Sequence, residues 1–141
     1  MTALPVGGPE LPQRRNLVTE VPGPISRTLM ERRNSTVARG VSTTLPVFIT
    51  AAGGGVMLDA DGNSLIDFGS GIAVASVGNA ADAVVSRVQQ QVAQFTHTCF
   101  MVTPYEGYVE VCEELARRTP GTHEKRSALF NSGAEAVENA V

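Results

Sequence analysis

One hundred and forty-one residues, 43% of them apolar, suffice for one domain with a core. Eleven Lys and Arg against fourteen Asp and Glu give a net charge of −3 with no basic block, so nucleic-acid binding has no electrostatic footprint. No apolar run nears the roughly 20 residues of a membrane span, and Cys99 and Cys112 are too few for a disulfide framework, which makes a reduced, cytoplasmic setting the expectation.

The first ten residues have neither a basic region nor a continuous apolar stretch, so no secretory signal is expected. Residues 1–25 hold five of the eight prolines, including those of Val21-Pro22-Gly23-Pro24, a composition that favours extended and turn backbone over helix. They read as an arm, mobile or ordered only against a partner subunit. Ser26 to about Val37 suits a short helix with Ser26 as its cap and Arg39-Gly40 as its stop. Pro46-Val47-Phe48-Ile49 reads as a short extended segment, and Gly53-Gly54-Gly55 as a turn.

Gly55 to Asp59 and Leu65 to Phe68 are apolar runs flanking Ala60-Asp61-Gly62-Asn63-Ser64, which predicts a hairpin turning at Asp61-Gly62. Asp59, Asp61 and Asn63 mimic the opening of a calcium loop. That loop needs glycine at its sixth position and glutamate at its twelfth. Here Gly62 falls at the fourth and Ser70 at the twelfth, so no calcium site is expected.

Ala80 to about Thr96 carries a helical face of Ala81, Val85, Val88, Val92 and Phe95, opposite Arg87, Gln90, Gln91 and Gln94. A second helix is predicted from Pro104 to Arg118, with Thr103 as cap, Pro104 at its first position and Glu106 completing a capping box. Its buried stripe is Tyr108, Val111, Cys112 and Leu115, so Cys112 reads as packing rather than as a reactive thiol. Arg117 and Arg118 suit the dipole of its last turn, and Pro120-Gly121 ends it. The organisation is then an arm over 1–25, a segment with a helix and hairpin over 26–78, and helices with a strand–turn–helix over 79–141.

The last element is Ala128-Leu129-Phe130, then Asn131-Ser132-Gly133-Ala134-Glu135-Ala136-Val137-Glu138-Asn139-Ala140. A strand, a tight turn and a helix start leave backbone N–H groups free to hold an anion. Ser132 and Glu135 fit a capping box, which is also what an ordinary helix after an ordinary strand would show. A nucleotide site of the phosphate-loop or dinucleotide type is disfavoured, because neither glycine motif precedes this helix. The class is α/β. The terminal strand lacks a parallel neighbour and the helix stops soon after it starts, so the expectation is a truncated chain.

The string Asn131 to Ala140 resembles the phosphate-binding turn of the class III pyridoxal-phosphate aminotransferases. The likeness continues upstream. Asp59 to Val74 resembles the stretch leading into that family's active site, while Phe95 to Phe100 and Thr103 to Tyr108 resemble its 4-aminobutyrate branch, in the actinobacterial form. The resemblance covers about residues 30–141. It implies the N-terminal part of a PLP-dependent transferase fold type I chain, comprising part of the small domain and the start of the large one.

It further implies pyridoxal 5'-phosphate as cofactor, Ser132, Gly133 and Ala134 as its phosphate contacts, and Ile72 as a substrate-pocket residue that would otherwise simply pack with Val74 on the following helix. Ala134 has no hydroxyl where some relatives have serine, so its contribution would be its N–H. His97 and Cys99 are read as core or interface residues and not as metal ligands.

The implied reaction moves an amino group from an ω-amino acid to a 2-oxo acid, 4-aminobutyrate to 2-oxoglutarate in the nearest branch, in a homodimer or larger homo-oligomer. Ornithine or acetylornithine aminotransferases, and a non-catalytic truncated fragment or dimerisation module, are the alternatives. The family's lysine, ring-nitrogen aspartate, ring-stacking aromatic and carboxylate-binding arginine would all lie past Val141. Lys125, the sole lysine, reads as a solvated loop residue between Glu124 and Arg126, so no catalytic residue is expected here.

Overall fold

The computed structural model describes residues 10–141. The chain divides into two compact units, Met1–Gln94 and Phe95–Val141. In the first, helix α1 (Pro24–Thr36) precedes three strands, β1 (Ile49–Gly53), β2 (Val56–Asp59) and β3 (Ser64–Ile66). These form one antiparallel sheet in the order β1-β2-β3. The expected hairpin is β2–β3, with Met57 opposite Leu65 and Gly62 at φ +88° in the turn. β1 overlaps the expected extended segment Pro46–Ile49 only at Ile49 and pairs Gly53 with Val56, its ladder interrupted by an irregularity between Ile49 and Ala51. Gly54, at φ +57°, turns the chain between them.

The centre of this unit is polar. Among the described residues Val56 is the one fully buried apolar side chain, whereas Ser26, Asp59 and Asn63 are all buried. Buried polar groups persist only when hydrogen-bonded, and these are. Asp59 Oδ1 accepts from the backbone N–H of Asp61 at 2.9 Å and of Asn63 at 2.8 Å. The Asn63 amide donates to Asp59 Oδ2 at 2.9 Å and to Thr19 Oγ1 at 2.8 Å. Its oxygen accepts from Val18 N at 2.8 Å and Thr19 N at 2.9 Å. All four hydrogen-bonding positions of the Asn63 amide are thereby filled. The three side chains that mimic a calcium loop serve to hold backbone.

Further bonds tie residues 13–19 to the sheet, in contrast to the arm over 1–25 expected to be mobile or ordered only against a partner. Asn16 pairs with Ser64 on the outer edge of β3, through N–H···O bonds of 3.0 and 2.7 Å. Gln13 donates to Gly53 O at 3.0 Å and accepts from Gly55 N at 2.9 Å. The earlier part of the arm, residues 1–9, lies outside the described residues. α1 also starts earlier than expected, and its cap is not Ser26. Gly23 is the N-cap and offers no side chain, so Asp61 reaches over from the hairpin turn and accepts from Ile25 N at 2.7 Å and Ser26 N at 2.9 Å. A carboxylate there also suits the helix dipole.

After β3 comes α2 (Ser70–Ala73), a single turn of opposite hand to the others: Ser70, Gly71, Ile72 and Ala73 all have φ between +45° and +62°. Three of the four are not glycine, and left-handed backbone costs such residues roughly 1–2 kcal/mol each. α3 (Asp82–Gln94) follows, two residues shorter than expected at each end. Its apolar stripe faces outward in part, with Val88 and Val92 exposed.

In the second unit α4 (Glu106–Arg118) begins two residues later than expected. Tyr105 is its N-cap, without a side-chain bond, so the Thr103–Glu106 capping box does not form. Thr103 instead bonds Thr98. At the far end Glu114 pairs with Arg117, at 2.6 Å, and with Arg118. These arginines lower the Glu114 carboxyl pKa, Arg117 foremost. Residues 128–130 form no strand with any other of the described residues, in contrast to the expected strand. α5 (Gly133–Ala140) closes the described chain.

Candidate functional site

Ser132, Gly133 and Ala134 sit where extended backbone enters α5. Ser132 is the N-cap at φ −143°, ψ 156°, and its Oγ accepts from Glu135 N at 3.3 Å. The capping box closes differently from the expected form. The Glu135 carboxylate accepts from the Ser132 hydroxyl at 3.0 Å instead of reaching back to the backbone N–H.

The first intrahelical bond runs from Ala136 N to Ser132 O, at 3.1 Å. That leaves the N–H groups of Gly133 and Ala134 without an acceptor among the described residues, both at the positive end of the helix dipole. A Cβ placed on Gly133 would meet nothing within 4 Å. The chain's own packing therefore does not demand glycine, and the space over this residue is open to a ligand. Two unpaired amides, a hydroxyl and open space fit a phosphate group.

Ile72 belongs to the first unit. It is 95% exposed, at the middle of the left-handed turn. Residues so strained persist only where their surroundings over-determine them, and the determinant is Asp67. Its Oδ1 accepts from Ser70 N at 2.7 Å and Gly69 N at 3.0 Å, and its Oδ2 from the Asn79 amide at 3.1 Å. These donors, the Ser70 N–H foremost, hold the Asp67 carboxyl below the ordinary aspartate range. Asn79 in turn pairs with Gly54 through two backbone bonds of 2.8 and 2.9 Å. A Cβ on Gly78 would come within 3.2 Å of Gly54 Cα, so glycine is needed for this close approach. The expectation that Ile72 packs with Val74 on the following helix is not met: both side chains are exposed.

Neither Asp67 nor Asn79 figures among the residues singled out from sequence. The signal was present, since an aspartate two and three residues ahead of backbone N–H groups is an Asx turn. His97 and Cys99, read as core or interface residues, are exposed, which leaves the interface half of that reading. Cys112 is half-buried and its Sγ donates to Ser127 O at 3.5 Å. Lys125 donates to Gly121 O at 2.6 Å, while Arg126 pairs with Glu124 at 2.7 Å. Among the described residues no helix is long and apolar enough to cross a membrane.

A family model described as aminotransferase class-III matches residues 36–141. The chain is 65% identical over 131 residues to a 4-aminobutyrate aminotransferase of Mycobacterium bovis, covering 93% of this chain and 29% of that protein. A 4-aminobutyrate aminotransferase of Mycobacterium leprae is 64% identical over 129 residues, with 92% and 29% covered. The 5-aminovalerate aminotransferase DavT of Pseudomonas putida is 44% identical over 116 residues, with 82% and 27% covered. The chain thus spans less than a third of the length of the curated relatives it matches.

Proposed function

The chain belongs to the class III aminotransferase family, and from that premise we propose that it is the N-terminal part of a 4-aminobutyrate:2-oxoglutarate aminotransferase. The observation that carries this reading is the 65% identity to proteins of that name across nearly the whole chain. On this reading the fold is PLP-dependent transferase type I, with these residues supplying part of the small domain and the opening of the large one. The protein works in the cytoplasm as a homodimer or larger homo-oligomer. The substrates are an ω-amino acid and a 2-oxo acid.

Pyridoxal 5'-phosphate, when bound, supplies an electron sink for the negative charge left on the substrate carbon after proton loss. The residues of this chain bind and orient it. The Gly133 and Ala134 N–H groups would donate to the phosphate, with the α5 dipole favouring its charge. The Ser132 hydroxyl would be the side-chain donor to the phosphate, while its Oγ, which accepts from Glu135 N, caps the helix. Ile72, presented by its left-handed turn, offers an apolar wall to the methylene chain of the substrate. Proton transfer is assigned to none of the 141 residues, since the sole lysine is occupied by a carbonyl outside this turn.

The test is amino transfer by the full-length protein, followed as glutamate formed from 2-oxoglutarate. 4-Aminobutyrate is expected to surpass 5-aminovalerate in kcat/KM by about tenfold, the scale of one methylene in an apolar pocket. The reverse order would move the protein to the 5-aminovalerate group, and no transfer from either donor would refute the proposal.

A further inference from the structure

Residues 68–78, which carry Ile72, are tied at both ends to one place, the Gly54-Gly55 turn between β1 and β2. At the start of this loop Asp67 N donates to Gly55 O at 2.9 Å. At its end Asn79 N donates to Gly54 O at 2.8 Å, and Asn79 O accepts from Gly54 N at 2.9 Å. Backbone thus brings the two ends together, and two side chains join them. Asn79 Nδ2 donates to Asp67 Oδ2 at 3.1 Å and reaches Gly54 O at 3.5 Å.

From this stem the hold passes to Ile72 in two steps. Asp67 Oδ1 accepts from Gly69 N at 3.0 Å and from Ser70 N at 2.7 Å. The carbonyls of the same two residues carry the turn that follows. Gly69 O accepts from Ile72 N at 2.8 Å and Ala73 N at 3.1 Å, and Ser70 O from Val74 N at 2.8 Å and Ala75 N at 2.9 Å. Gly69 and Ser70 are therefore fixed through their N–H groups by Asp67, and through their carbonyls they fix Ile72. Hydrogen bonds to a carboxylate are about twice as strong as neutral ones, so the turn follows the Asp67 side chain. Asn79 is the side chain that ties this carboxylate to the other end of the loop.

We propose that Asn79 is a positioning residue for the choice of amino donor: by holding the Asp67 carboxylate at the stem, it sets where Ile72 stands along the methylene chain of the substrate. The inference rests on the reading of Ile72 as a substrate-pocket residue. An apolar wall at a fixed depth distinguishes chains that differ by one methylene, and a wall free to shift accepts both. The effect falls on the ratio between two amino donors. A loss of folded protein would lower both alike.

The experiment measures kcat/KM for 4-aminobutyrate and for 5-aminovalerate on the full-length protein with its cofactor, 2-oxoglutarate being the acceptor. Asn79→Asp sets a second carboxylate against Asp67, and the ratio should fall from about tenfold to about twofold or less. Asn79→Ala removes the bond without adding charge and should lower the ratio by about two- to threefold. Combining Asp67→Asn with Asn79→Asp exchanges the two groups and restores one N–H···O bond between them, so the ratio should recover to about fivefold or more. Ile72→Ala should itself erase the ratio. If it does, an unchanged ratio in both Asn79 variants, or a double variant no better than Asn79→Asp, would overturn the inference while the pocket reading stood. An unchanged ratio in Ile72→Ala would overturn the pocket reading, and the inference with it.

Discussion

On the proposed reading Ser132 does two things at once, and substitution can separate them. Its Oγ caps α5 by accepting from Glu135 N at 3.3 Å, and on the proposed reading its hydroxyl proton serves the phosphate. Ser132→Ala removes both. Loss of an N-cap costs about 1 kcal/mol of helix stability, and a hydrogen bond to a charged group contributes about 1.5–3 kcal/mol. Cofactor affinity should therefore fall by about 10- to 150-fold, with faster hydrogen exchange at the Glu135 amide.

Ser132→Asp divides the effects. Aspartate is as good an N-cap as serine, so the Glu135 amide should stay protected. Its carboxylate would face a phosphate carrying charge of the same sign, and affinity should fall at least as far as in the alanine variant. Ser132→Thr keeps both functions and should restore binding. The assay is cofactor titration of the full-length protein beside amide exchange without cofactor. If the aspartate variant bound cofactor like the wild type, the hydroxyl would have no phosphate role, whatever happened to the cap.

At Gly133, open space predicts that Gly133→Leu leaves the cofactor-free protein as stable as the wild type in a thermal melt while weakening cofactor retention; equal retention would count against the site. Asp67 has a depressed carboxyl pKa in the folded chain, so its contribution is complete above the ordinary aspartate value of about 3.9 and disappears as pH falls through the lower folded value. Protection of the Gly69 and Ser70 amides should follow that course. Asp67→Ala should abolish it, and wild-type protection independent of pH down to about 2 would refute the clamp. Asn63→Ala orphans the N–H groups of Val18 and Thr19 together with Asp59 Oδ2. At about 1–3 kcal/mol for each buried unpaired group, residues 10–23 should detach locally and trypsin should cut at Arg14 and Arg15 much faster; unchanged cleavage would show that the other ties suffice.

Much of the local structure was legible because its causes are local. The hairpin follows from two apolar runs around Asp61-Gly62, and α5 from a serine three residues ahead of a glutamate. Apolar spacing likewise marks α3 and α4 to within two residues. The errors at α1 and β1 share one feature, a partner distant in sequence. The first helix is capped by Asp61, some 36 residues downstream of Ile25, so no scan of its own first turn could find the cap. β1 exists as a strand because β2 lies beside it, and residues 128–130, apolar enough for a strand, find no partner strand among the described residues.

By itself the sequence determined the family, the sites of the turns and the helix start at Ser132, since these depend on residue types at short fixed spacings. Tertiary structure alone decided what those residues can do. The Asp67 clamp on a left-handed turn that exposes Ile72, and the Asn63 amide on Val18 and Thr19, arise between groups that meet only after folding. Hydrogen bonds act over about 3 Å. Whether two groups come that close is a property of the folded backbone and not of their separation along the chain.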